Sequence, residues 1–352
     1  MENTLFAVDR LENFIEAVFI AHGIQPDHAR TGAVRMIEAD LRGMHGHGIF
    51  RLPGYCRRLE EGGYNLKPKV RIKRETPVSA IVDGDNALGQ VVVTFAADLA
   101  IRKAAENGMA WIGIRNSNHA GAGGVYASMS LPHNMISMYM AIANANHMPP
   151  WGGVDLLLST NPIAFAIPAG KEPPVVLDIA TTAASYGKVK VYAQKGENFP
   201  VGWMVDRKGR PLTDSKRFKE GLLLPIGGHK GYGLNFVIGA LAGVLNTAAF
   251  GSSVIDFNKD FKNPTNSGQM YFAMRPDLFR DLDEFKAEMD LRIREIRNST
   301  PMEGAEPIRL PGEMAIQREE KMRLEGVPVA QAVLEQVREI AEKLGLEDRL
   351  DA

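Results

Sequence analysis

Cysteine is nearly missing from this chain: Cys56 is the single one in 352 residues. No internal disulfide can form, which fits a reducing compartment, and a lone thiol more often fills space than attacks a substrate. An excess of charge is missing too. Lys and Arg total 41 against 42 Asp and Glu, for a net charge of -1 and a pI near 6.7. Nothing in that balance attracts nucleic acid or anionic lipid. Long apolar runs are absent: Phe236–Leu245 is too short to span a bilayer and contains two glycines. The opening MENTLFAVDR lacks a basic stretch followed by an apolar core, so no signal peptide is expected and the reading is a cytoplasmic protein. No repeat, low-complexity tract, G-x-G-x-x-G or H-E-x-x-H occurs. A Rossmann dinucleotide fold and a zincin are therefore unsupported.

What is present suits a globular chain. Hydrophobic residues make up 45% and charged residues 24%, enough for a sizeable core in one large domain or two. Val8, Leu11, Phe14, Ile15 and Val18 fall at helical spacing before Gly23. Ala33, Val34, Met36 and Ile37 mark a second helix entered near Pro26–Asp27. Leu52–Leu59 continues helically to Gly62–Gly63, and Asn65–Val70 is loop-like. Val78–Val82, Trp111–Ile114, Met135–Ile142 and Val175–Leu177 read as strands, and Val92–Glu106 and Ala183–Gln194 as helices. Trp203–Val205 with the Asp206–Gly209 turn suggests a hairpin, and Leu234–Leu245 a buried, glycine-containing helix. Leu278–Arg297 alternates charges as a solvated helix does, and Pro301–Pro311 is loop. The stripe Ala330, Val333, Leu334, Val337, Ile340, Ala341 and Leu344 predicts a helix packed on the body or on a partner subunit.

Five stretches crowd chemistry-bearing residues together. Asp40–Arg51 (DLRGMHGHGIFR) sets His45 and His47 between glycines, with Arg51 four residues after His47. A helix starting near Gly48 puts His47 at its amino end and Arg51 one turn in, on one face. Imidazole titrates near ~6.5 and passes protons at working pH, while guanidinium grips a carboxylate with two prongs. A plain helix cap accounts for the same glycines. Asn116–Gly124 (NSNHAGAGG) exposes N–H groups suited to a pyrophosphate, or simply turns the chain. In Trp151–Pro162 (WGGVDLLLSTNP) turn residues dominate, and Thr160 offers a hydroxyl. In Leu177–Lys188 (LDIATTAASYGK) Asp178 either accepts ribose hydroxyls or caps the following helix. Gly227–Gly233 (GGHKGYG) lets the main chain approach a ligand, with Lys230 available to a phosphate. His45 and His47 with His119, His147 or Asp178 can also chelate, the arrangement a metal-dependent hydrolase would need.

Taken in order, ADLRG, HG with its arginine, RNSNH, PWGG with STNP, LDIAT, GGHKGYG and RLPGE resemble the malate/L-lactate dehydrogenase family of the non-Rossmann type. That group also includes ureidoglycolate and sulfolactate dehydrogenases, diketogulonate reductases and cyclic imino-acid reductases. The resemblance spans nearly the whole chain. It implies an α/β fold: a non-Rossmann nucleotide domain with a mixed, largely antiparallel sheet, plus a helical domain built from both termini. Residues 1–75 with 290–352 would form the helical, substrate and dimerisation domain, and 76–289 the nicotinamide domain, with the active site between them in a homodimer. The implied reaction is hydride transfer between NAD or NADP and a small 2-hydroxy or 2-oxo carboxylate, with no metal, nucleic acid or membrane involved.

Roles follow by matching motifs. His47 matches the proton carrier, ranked first, and His119 is ranked second. Arg51, Tyr55, Thr160, Tyr186 and Gly187 match substrate contacts, with Arg51 on the carboxylate. His119, Ala120, Gly121, Ala122 and Gly123 match cofactor contacts, as do Asp178, Ile179 and Ala180, then His229 and Lys230, and finally Arg309, Pro311, Gly312 and Glu313. Two departures matter. Gly46 stands where many members carry a serine that orients the histidine, so a partner for His47 must come from elsewhere, such as water or His45. Tyr186 stands where they carry an arginine, which implies a substrate with one fewer anionic contact or one reached by the phenol. Lys188, where imino-acid reductases carry an acid, disfavours that branch. A catalytically silent cofactor-binding protein is the remaining alternative.

Overall fold

The computed structural model describes residues 3–351. The chain opens with β1 (Asn3–Phe6), α1 (Val8–Ala21), α2 (Pro26–Leu41) and α3 (Leu52–Glu60). Next come β2 (Arg71–Thr76), β3 (Ser79–Asp83), α4 (Gly89–Asn107), β4 (Met109–Ser117), α5 (Gly123–Ala127), β5 (Ile136–Ala141), β6 (Ile163–Ile167) and β7 (Val175–Ile179). Then follow α6 (Tyr186–Lys195), β8 (Met204–Val205), β9 (Leu222–Leu223), α7 (His229–Ile238), β10 (Ser267–Met274) and α8 (Leu282–Arg297). The chain closes with α9 (Glu313–Glu325), β11 (Val327–Ala330), α10 (Gln331–Leu344) and α11 (Glu347–Asp351).

One core is built from both ends of the chain. α1 buries Leu11, Phe14, Ile15, Val18 and Phe19, the one-face spacing its sequence shows. α2 starts on Pro26, whose missing N–H costs nothing in a first turn. β1 pairs antiparallel with β11, and Leu334, Val337 and Ala341 of α10 close the same core. The C-terminal stripe is thus spent inside its own chain.

A second core lines the seven-stranded sheet, ordered β2-β3-β4-β10-β5-β6-β7. Only β3 and β4 run parallel; the other five pairings are antiparallel. The mixed, largely antiparallel sheet and the helices beside it are the architecture implied above. The central strand β10 is nearly all buried, so it shows no polar–apolar alternation to read. β2, with the charged sequence RIKRET, is an exposed edge strand, where charge blunts unwanted pairing.

The Asp206–Gly209 turn returns the chain as expected, with Val205 bridged antiparallel to Pro211 and the Leu212 N–H donating to the Met204 carbonyl at 3.0 Å; Met204–Val205 also pairs with the more distant Leu222–Leu223. Two local expectations are corrected. Helix α6 begins at Tyr186, where Ser185 caps it by accepting from the Lys188 N–H at 3.2 Å. The Leu234–Leu245 stretch is not buried throughout. α7 ends at Ile238, a wide π-type turn runs to Gly243, and Leu234, Phe236, Val237, Val244 and Leu245 face outward. Gly239 presses so close to the Phe250 ring that a Cβ would lie 2.2 Å from it, which commits one face and leaves the other open.

Candidate active site

The Asp40–Arg51 loop is organised by one buried carboxylate. Asp40 accepts from the Ile49 N–H at 2.8 Å and meets His45 Nδ1 at 3.0 Å. Gly48 packs against it so tightly that a Cβ would sit 2.0 Å from the carboxyl group. The loop therefore forms two 3₁₀ turns, His45–His47 and Ile49–Arg51, and the expected helix start at Gly48 gives way to α3 at Leu52. The turns send the two histidines apart. His45 stays exposed beside Asp40, while His47 turns inward and stacks on His119, ring centres 5.5 Å apart and 16° from parallel. Arg51 is steadied by donating from Nε to the Gly46 carbonyl at 2.8 Å and from Nη1 to Asn258 Oδ1 at 3.2 Å.

His119 follows β4. The preceding Asn118 is buried and donates to Asn86 Oδ1 at 2.8 Å and to the Ala87 carbonyl at 2.9 Å, which fixes the backbone. His119 Nδ1 shares a 2.7 Å hydrogen bond with the Tyr55 phenol, and Gln90 Nε2 donates to the same phenol at 2.9 Å. Phe257 packs against both rings, 5.4 Å from His119 and 5.7 Å from Tyr55. Tyr55 has no exposed surface, so it touches His119 rather than the open cleft.

Burial disfavours charge on these rings. Burial, then the Arg51 charge, pushes the His47 imidazole down to about 4. His119 is lowered well below its usual range by burial, then by Arg51 and His47. Both are neutral at pH 7. Burial raises the Tyr55 phenol to about 12, so it stays protonated. His47 Nδ1 is sealed off with no hydrogen-bond partner among the described residues, unlike His119.

A second wall comes from α6. Tyr186 stacks flat on His147, 3.8 Å between centres and 6° from parallel, and Lys190 Nζ lies 5.4 Å from the Tyr186 ring. Lys190 is lowered by partial burial and then by the charge of Arg51, which ties the two walls together electrostatically. Asp256 acts on His147, Tyr186 and Lys190, while the adjacent Phe257 and Asn258 touch His119 and Arg51. Residues 256–258 therefore bridge the walls.

The remaining segments assemble around β7. Asp178 neither caps the helix that follows it nor stands free: it accepts from the Gly124 N–H at 2.7 Å and so caps α5 across the sheet. Burial raises its carboxyl to about 6 against the opposing pull of that N–H and of Arg42. Gly123 is closely enclosed, since a Cβ would approach Tyr139 at 3.0 Å and Ala164 at 3.2 Å, and Gly121 passes beside the His47 carbonyl. After Ile179 and Ala180, Thr181 donates to the Thr160 carbonyl at 3.0 Å, and Asn235 of α7 donates to the Thr181 hydroxyl at 2.7 Å. The Ile226 N–H joins Thr181 at 2.9 Å, which seats the GGHKG loop alongside. His229 and Lys230 open α7 and are exposed, with Trp151 edge-on to His229 at 6.5 Å. The Pro311 carbonyl accepts from the Val176 N–H at 3.0 Å, and Gly312 closes over Val176, so Arg309–Glu313 lies along the free edge of β7.

A model for malate/L-lactate dehydrogenases matches residues 6–338. The chain belongs to the malate/L-lactate dehydrogenase family. Among its relatives is the malate dehydrogenase of Pyrococcus horikoshii, 38% identical over 96% of this chain and 95% of that one. The NAD(+) ureidoglycolate dehydrogenase of Escherichia coli is 33% identical over 91% of each. The solved sulfolactate dehydrogenase of Methanocaldococcus jannaschii superposes with a TM-score of 0.90, at 35% identity over 97% of this chain and 98% of that one.

As a malate/L-lactate dehydrogenase family member the protein is an enzyme, an oxidoreductase, which replaces the catalytically silent alternative. The metal-dependent hydrolase falls on the donor geometry. His45 is taken by Asp40, and among the described residues no three His, Cys, Asp or Glu side chains gather where one ion could touch them. No helix among those residues is long and apolar enough to cross a membrane. Sequence reasoning brought His47, Arg51, Tyr55 and His119 to one place, and missed Gln90, Phe257, Asn258 and Lys190. The only signal for residues 256–258 was an Asp-Phe-Asn turn sequence in an otherwise unassigned stretch.

Proposed function

We propose that the protein interconverts a small 2-hydroxy carboxylate and its 2-oxo acid, using a nicotinamide cofactor, in the cleft that holds His47, Arg51 and His119. The observation that carries this reading is the pair of neutral, stacked imidazoles beside a steadied guanidinium. A nicotinamide supplies hydride acceptance and donation. The chain supplies position and protons. Arg51 grips the substrate carboxylate and turns the reacting carbon to a fixed orientation. An imidazole takes the hydroxyl proton in oxidation and returns it in reduction. The sequence ranks His47 ahead of His119; the hydrogen bonding favours the reverse order, because only the His119 ring has its far nitrogen held.

The residues fit a nucleotide of this kind. At Gly46 and Gly227 a Cβ would meet nothing within 4 Å, and at Gly187 only Ser185 Oγ at 4.0 Å, so a ligand can come against bare backbone. Lys230 and His229 stand exposed next to that backbone at the start of α7, and Arg309–Glu313 and Asp178–Ala180 border it through β7. NAD is the favoured cofactor, since the relative whose name states one states NAD(+). Residues 1–75 with 290–352 then present His47, Arg51 and Tyr55 to the cofactor segments of residues 76–289. The exposed Leu234, Phe236, Val237, Val244 and Leu245 support a homodimer closed through the α7 face, within residues 76–289 rather than through the helical domain that the resemblance implies, since apolar surface of this kind marks an interface. 2-Hydroxy acids with a second anionic group, as in malate and sulfolactate, are the favoured substrates, because the exposed Lys190 is near enough to Arg51 to feel its charge and offers a cation beside Tyr186, where the arginine of other members is lost. A cytoplasmic location agrees with the single buried thiol.

The test is oxidation of NADH and NADPH over a panel of 2-oxo acids with one or two anionic groups, alongside nicotinamide fluorescence titration. Turnover of at least one such acid with saturable cofactor binding is expected. Cofactor binding with no turnover of any of them overturns the reading.

A further inference from the structure

We propose that Gln90 is a positioning residue that, acting through Tyr55, sets which nitrogen of His119 carries the proton. Gln90 is the second residue of α4 and is 1% exposed. Gly89 before it makes this possible: a Cβ there would lie 2.3 Å from the Asn118 carbonyl oxygen and 2.4 Å from that of His119, so only glycine lets α4 start directly under the histidine. The Gln90 amide then reaches the Tyr55 phenol at 2.9 Å, and the phenol reaches His119 Nδ1 at 2.7 Å. Gln90 Oε1 is buried with no partner among the described residues.

The logic is one of counting protons. A neutral phenol has a single proton to give. When Gln90 donates to it, that proton goes to His119 Nδ1, and the ring faces the cleft with Nε2–H. With the amide turned over, Oε1 accepts the phenol proton, the phenol accepts from His119 Nδ1–H, and the ring faces the cleft with a free lone pair on Nε2. Each orientation leaves one polar end of the amide unmatched, so neither is strongly preferred, and an unmatched buried group costs ~1–3 kcal/mol in either case. The second orientation is also the one that holds an imidazolium. When Nε2 takes the proton of a substrate hydroxyl, that O–H bond breaks and the N–H bond forms. Nδ1–H then donates to the phenol, and the phenol to Oε1. No proton passes along the chain; only its polarity changes. The orphaned oxygen is thus the acceptor that the protonated ring calls for. Arg51 and His47 are the charged and titratable groups that oppose this protonation, and a substrate carboxylate on Arg51 offsets the first of them.

This inference rests on the proton-transfer role proposed above, and its primary readout does not. The full-length protein labelled with ¹⁵N-histidine reports the tautomer of each ring, with the His119 signals assigned by their loss in His119→Ala. Gln90→Met removes both polar atoms at similar length, and Gln90→Glu leaves only acceptors once its carboxyl is ionised, so it is read at the highest pH at which the protein stays folded. Gln90→Met is expected to shift the His119 tautomer populations, and Gln90→Glu to drive them to the Nδ1–H form. In turnover with the best 2-oxo acid, Gln90→Met and Tyr55→Phe should each lower kcat about 10-fold with KM within about 3-fold, less than the ~10²–10⁴-fold of the proton carrier itself because they only orient it. The double variant should be no worse than Tyr55→Phe alone. Unchanged His119 signals in both Gln90 variants overturn the proposal, as do losses that multiply in the double variant. If the wild type turns over no 2-oxo acid, the function fails while the tautomer experiment still decides the role of Gln90.

Discussion

Helices α3 and α6 each set a tyrosine against a histidine of the site and hold it in opposite ways. α3 buries Leu52, Tyr55, Cys56, Arg58 and Leu59, whereas α6 buries Val189 alone. Tyr55 has no exposed surface and sits in a chain of two hydrogen bonds. Tyr186 is half-buried against His147, and Lys190 beyond it is exposed with no ion-pair partner among the described residues. Each buried apolar side chain contributes about 1.5–3 kcal/mol, so the α3 geometry is fixed many times over and the α6 geometry is not. The difference teaches where each task belongs. On the proposed function, the proton transfer, which needs precise placement, belongs to the enclosed wall, and the choice among substrates, which tolerates variation, to the lightly held one.

That contrast is broken most sharply by substitution on the enclosed wall. His119→Ala should lower turnover on the order of 10³-fold, as expected for loss of a general acid–base, while nicotinamide fluorescence titration still saturates, with a far smaller change because His119 is one of several expected cofactor contacts. Arg51→Ala should come next, lowering kcat/KM for carboxylate substrates about 10²-fold, since two charge-assisted hydrogen bonds are lost. Steady-state kinetics with an uncharged analogue checks it, because that substrate should lose little. On the open wall Lys190→Ala should cost no more than about 5-fold, confined to substrates with a second anionic group and fading as salt is added, the mark of an exposed ion pair. A loss at Lys190 equal to that at Arg51 would erase the distinction between the walls.

Acid stability sharpens the same comparison. His47 and His147, one on each wall, are both held down to about 4 by burial. Between pH ~6.5 and ~4 the unfolded chain binds protons that the folded rings refuse, so stability is complete above the upper limit and falls as pH drops through that window. His47→Gln should flatten the acid side by on the order of 1–3 kcal/mol in denaturant titrations. A pH profile that is identical in the variant contradicts a neutral, buried His47.

The sequence carried some of this and withheld the rest for physical reasons. Glycine, asparagine and proline mark turns wherever they stand, so all five motif stretches could be found without coordinates. What they build could not be found, because the contacts join residues far apart: Tyr55 to His119 across 64 positions, and Arg51 to Asn258 across 207. Gln90 falls just before the helical run read at Val92–Glu106, and nothing local marks its amide as the partner of a phenol. β10 went unread since burial on both faces removes alternation, and β2 since an edge strand carries charges a loop would also carry. The α7 stretch misled because an apolar helix pressed on one face by Phe250 looks, in sequence, like one enclosed on all sides.

The measurement closest to the central claim is chemical rescue. His119→Ala and His47→Ala are assayed side by side for reduced-nicotinamide oxidation with the best 2-oxo acid, with free imidazole added. If His119 is the proton carrier, its variant has the deeper loss, and imidazole restores part of that turnover in proportion to its protonated fraction, while the His47 variant gains nothing. A His119→Ala enzyme near wild-type rate, or rescue confined to His47→Ala, contradicts the account.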